Sequence, residues 1–75
     1  MTLLDAKSNE RLRIIDILAG RRLRQSLACM SIEIGSVIQV SRNAPFAGPL
    51  MLKSKSTEAA IGRGVASKIV VERIQ

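Results

Sequence analysis

A single aromatic residue, Phe46, serves a chain of 75 residues that has no Trp and no Tyr. Aromatic side chains bury roughly 150–250 Å² each and usually dominate a core. Without them the interior must be built from Leu, Ile, Val and Met, and a hydrophobic content of 47% supplies enough of these to argue against disorder. The length sets a second bound. A chain this short forms one small domain, here taken as residues 1–75. It buries only about 60% of its unfolded surface, which leaves a net stability of a few kcal/mol. So small a body offers no long active-site cleft.

The rare reactive residues exclude whole classes of chemistry. There is no His, so Ser/His/Asp and Cys/His arrangements and a His-ligated metal site are ruled out. The lone Cys29 allows neither an internal disulfide nor a CxxC motif. The chain is therefore read as non-enzymatic, with no catalytic residues and no cofactor. The first residues hold no apolar signal core, since Asp5 and Lys7 interrupt it. No apolar run approaches the ~20 residues of a membrane-spanning helix. With one free thiol, these features predict a cytoplasmic protein.

The chain reads as five strands and one helix. Residues 1–9 read as a lead-in, with Asp5, Lys7, Ser8 and Asn9 as turn or solvent residues. A strand is expected from Arg11 to Leu18. Leu12 and Ile14 share one face, and Ile15 and Ile17 take the opposite phase. That phase change predicts a bulge, or a strand end buried on both faces. From Arg21 to Met30 the period is helical, with Leu23, Leu27 and Met30 in one stripe. Further strands follow at Ser36–Arg42, Leu50–Ser56, Thr57–Ile61 and Lys68–Ile74, with one helical turn at Val65-Ala66-Ser67. Such spacing predicts a mainly β fold: a small, closed or nearly closed barrel in meander order, with the helix capping one end.

Three segments carry a resemblance. Residues 24–35, the loop from Asn43 to Leu50, and the stretch from Ala60 to Ile69 resemble, in order, motifs of the bacterial ferrous-iron transport A (FeoA) family. The resemblance implies a five-stranded SH3-like barrel with an inserted short α-helix. It implies an accessory protein of ferrous iron uptake whose partner is the cytosolic, GTP-binding region of the permease FeoB. At family level it carries an association with transition-metal binding. The same barrel resembles the C-terminal domain of iron-dependent repressors of the diphtheria-toxin-repressor type. The family commonly has Gly where this chain has Ser31, and Pro where it has Ile34. A left-handed Ser31 would carry about 1 kcal/mol of strain.

The candidate partner-binding residues are Arg21, Arg22, Arg24, Leu27 and Phe46. Three Arg at a helix start oppose the helix dipole by about 0.3–1 kcal/mol each, which points to an acidic partner surface. Leu27 is the candidate apolar contact, expected at a partly exposed helix edge. Phe46 stands at the tip of a loop between two Pro residues. Gly62-Arg63-Gly64 lacks the residues of a phosphate-binding loop and reads instead as a turn where no Cβ fits. Asp5, Asp16, Glu33, Glu58 and Glu72 are scattered, and Cys29 reads as a small buried residue. No metal site is expected. The net charge of +6 also admits a small nucleic-acid-binding barrel as the alternative. A lack of stacking residues opposes it, so no nucleic acid is expected. The chain is expected to be a monomer that meets the membrane only through its partner.

Overall fold

The computed structural model describes residues 1–43, 48–55 and 57–74. Five antiparallel strands form one sheet: β1 (Arg11–Ile17), β2 (Val37–Asn43), β3 (Leu50–Ser54), β4 (Thr57–Ile61) and β5 (Ile69–Arg73). Their order is β4-β3-β2-β1-β5. The meander expectation therefore holds for the first four strands, while β5 returns to pair with β1. Among the described residues β4 and β5 stay unpaired with each other, so the sheet is barrel-like but open. Helix α1 (Arg21–Ala28) joins β1 to β2, and the single turn α2 (Arg63–Ala66) joins β4 to β5.

The alternation read from the sequence becomes the inside and outside of this sheet. Leu12, Ile14 and Ile17 of β1, Ile38 and Val40 of β2, Leu50 and Leu52 of β3 and Ile69 and Val71 of β5 are all buried. The expected bulge is present: pairing of β1 with β5 slips between Ile14 and Asp16. The slip restores Ile17 to the core and leaves Ile15 exposed. A second irregularity lies between Val40 and Arg42, opposite β3. Bulges bend and twist strands. They let five short strands wrap one core of Leu, Ile, Val and Ala. The Met residues expected in that core stay outside it, with Met30 only packed against its edge.

Two local expectations are corrected. The lead-in is part of the fold, because Leu3 and Ala6 are buried. Its 3-10 turn, Leu3–Asp5, is closed by the Asp5 carboxylate, which accepts the Thr2 amide at 3.0 Å. The Met1 carbonyl then accepts the Val71 amide on the outer edge of β5. At Gly62 and Gly64 a Cβ would meet nothing within 4 Å, so crowding does not explain either glycine.

Candidate partner-binding site

Helix α1 is two turns long and cannot hold its shape alone. Its stripe docks it: Leu27 lies in the core, and Leu23 and Met30 pack against it. Leu27 is only 1% exposed, so its expected place at an open helix edge is corrected. It is a core residue, and the sequence stripe could not tell full burial from half burial.

The helix end is well specified. The Ile32 amide donates to the Leu27 carbonyl at 3.0 Å, and the Ser31 amide to Ala28 at 2.9 Å. These two bonds with a left-handed residue between them form a Schellman closure. Ser31 is that residue, with φ +63°, so the strain implied by its family comparison is present. The Ser31 carbonyl in turn accepts the hydroxyl of buried Ser54 at 3.1 Å, tying the helix end to β3. The chain then turns at Glu33–Ser36, where the Ser36 amide donates back to the Glu33 carbonyl. Gly35 takes φ +93° there, a conformation that disfavours any side chain.

The three Arg separate in role. Arg24 donates through Nη2 to the Ile17 carbonyl at 2.7 Å and through Nε to Ala19 at 3.1 Å. It also lies 3.7 Å from the Asp16 carboxylate. Arg24 therefore closes the end of β1 and is not a free cation. Among the described residues, Arg21 and Arg22 are exposed and their guanidinium groups have no partner. Phe46 lies outside the described residues. Cys29, expected to be buried, is exposed.

Between α1 and the Glu33–Ser36 turn runs an open groove of about 520 Å³. Arg21, Arg24, Gln25 and Ala28 form its helical wall, and Glu33 and Ile34 the facing wall. Ile17, Ala19 and Ile32 complete the lining. Sequence reading missed Ile34, which is 52% exposed. Its signal was a bulky aliphatic residue placed next to the Gly that makes the turn. No three of the His, Cys, Asp and Glu side chains gather into a metal-binding group among the described residues. No helix there is long and apolar enough to cross a membrane.

The FeoA domain family matches residues 1–73. A candidate Fe(2+) transport protein A of Methanocaldococcus jannaschii is 43% identical over 67 residues, covering 89% of this chain and 79% of that protein. The crystal structure of an iron uptake regulatory protein, FeoA, superposes with a TM-score of 0.90 at 28% identity, over 99% of this chain and 97% of the other. The manganese-activated repressor ScaR carries the same fold at TM-score 0.86 and 22% identity. There the match spans 99% of this chain but 35% of the repressor.

Proposed function

Starting from the FeoA family, to which this chain belongs, we propose that it acts in the cytoplasm as a non-enzymatic accessory and regulator of ferrous iron uptake. It does so by binding the cytosolic region of the permease FeoB as a monomer, and it reaches the membrane only through that partner. The observation that carries this reading is the pair Arg21 and Arg22, exposed and without an ion-pair partner among the described residues, at one end of α1 beside the anchored Arg24. Three of the six acidic residues, Glu10, Asp16 and Glu72, are engaged by Arg73, Arg24 and Arg13. The surplus of positive charge is thus left to face outward, where it steers an acidic surface into place. Phe46, the one aromatic side chain, is assigned to the same partner as an apolar contact.

The test is ferrous iron uptake in cells that depend on this chain. Arg21→Glu with Arg22→Glu lowers uptake while the protein stays folded and normally expressed. Unchanged uptake by the folded double variant contradicts the reading. Arg24→Glu is unsuited to this test, because it also breaks the closure of β1.

A further inference from the structure

The groove beside α1 has a chemistry of its own. Half-buried Ala19 and Ala28 give it an apolar wall over a floor of buried Ile17 and Ile32, and Ile34 on its facing wall stands 52% exposed. Arg24 cannot swing across it, since two backbone carbonyls hold its guanidinium. Arg21 lines the same groove with its charge unanswered among the described residues. Glu33 on the facing wall repels a second carboxylate, so the groove is polarised, with its positive side on the helix. At about 520 Å³ it lies within the ~300–1,000 Å³ usual for ligand sites, but it is open rather than enclosed. An open apolar channel suits a chain segment better than a small molecule.

We propose that this groove binds a short segment of another protein that presents Leu or Ile side chains flanked by Asp or Glu. The aliphatic side chains lie on Ala19, Ala28 and Ile34, and the carboxylate meets Arg21. A second copy of this chain is a poor occupant. It carries +6, and Glu10, Asp16 and Glu72 are already ion-paired. Asp5 is taken by the Thr2 amide, Glu33 lies in the groove itself, and Glu58 faces Lys53 across the β3–β4 pair. The proposal rests on the reading of the chain as a partner-binding module and names what it binds.

The experiment is an amide NMR titration of the whole chain with two blocked peptides, acetyl-Asp-Leu-Leu-amide and acetyl-Lys-Leu-Leu-amide. The acidic peptide shifts the amides of Ile17, Ala28, Ile32 and Ile34, and the basic one binds roughly tenfold more weakly. Arg21→Glu reverses that preference, and Ile34→Asp abolishes binding of the acidic peptide. Both positions are exposed, and amide dispersion verifies that the variants fold. Equal binding of the two peptides, no shifts, or shifts confined to other surfaces would overturn the proposal. So would the same amides shifting on simple dilution of the chain, which assigns the groove to a second copy. A parallel binding measurement with the FeoB cytosolic region separates the two levels. If Ile34→Asp binds that region as well as the parent chain does, the groove proposal fails and the partner reading stands. If the region does not bind while the acidic peptide does, the partner reading fails and the groove assignment stands.

Discussion

The Arg24 guanidinium on α1 donates to the carbonyl of Ile17, the last residue of β1, at 2.7 Å. A cation set against a helix N-terminus is thereby explained without any partner: it adds a second, charged donor to a strand-end carbonyl that the Ala19 amide also reaches at 3.0 Å. The side chain is 47% exposed, which discounts the usual ~1.5–3 kcal/mol of a charged hydrogen bond to about 1 kcal/mol. Arg24→Met is expected to lower Tm by about 4–8 °C in a domain of this size. Arg21→Met is expected to leave it unchanged. Thermal melts of the two variants check this, and equal Tm values would contradict the assigned roles.

Ser31 and Gly35 predict opposite responses to opposite substitutions. Ser31→Gly removes left-handed strain at φ +63° and is expected to stabilise by about 1 kcal/mol. Gly35→Ala forces a Cβ into φ +93°, although the space around it is open. It is expected to destabilise by about 1 kcal/mol or more through backbone strain alone. Urea unfolding of both variants measures the two signs.

Acid sensitivity should trace partly to Glu10. The Lys7 amide donates to its carboxylate at 3.0 Å, and Arg73 pairs with it across the edge between β1 and β5. Together these hold its pKa below the ordinary Glu value. A lowered folded-state pKa gives stability that is present above the unfolded value, ~4.3, and is lost as pH falls through the folded one. Glu10→Gln is therefore less stable than the parent at pH 7, and the gap closes below about pH 4. Melts across pH 2–7 read that convergence, and a gap constant with pH would refute it.

Cys29 is exposed at the end of α1 and should react with a maleimide in the native protein, without denaturant. Mass spectrometry after brief labelling gives the answer. Protection until unfolding would mean that the last helical turn is more deeply packed than described.

How much of this was legible in the sequence differs by level. Period-two alternation located β1, β2 and β3, and a β-branched run located β5, each within about two residues, because one face of each lies on the core. The disturbed phase at Ile14–Ile17 foretold the bulge. What period alone does not encode is which strands become neighbours. The return of β5 to β1 therefore appeared only in the fold. Similarly, a helical stripe identified Leu23, Leu27 and Met30 as inward but could not grade them, and Leu27 moved from candidate contact to core. Arg21, Arg22 and Arg24 look alike as a run. Arg24 differs because the strand end lies within its reach. The groove wall at Ile34 required long-range placement that no local pattern supplies.

The most direct test of the central claim is isothermal titration of the chain with the purified FeoB cytosolic region, with and without GTP, at two salt concentrations. The account predicts saturable binding that weakens with salt and is lost in Arg21→Glu/Arg22→Glu, which keeps the parent's melting behaviour. Absence of binding by the parent chain, or undiminished binding by the double variant, would contradict it.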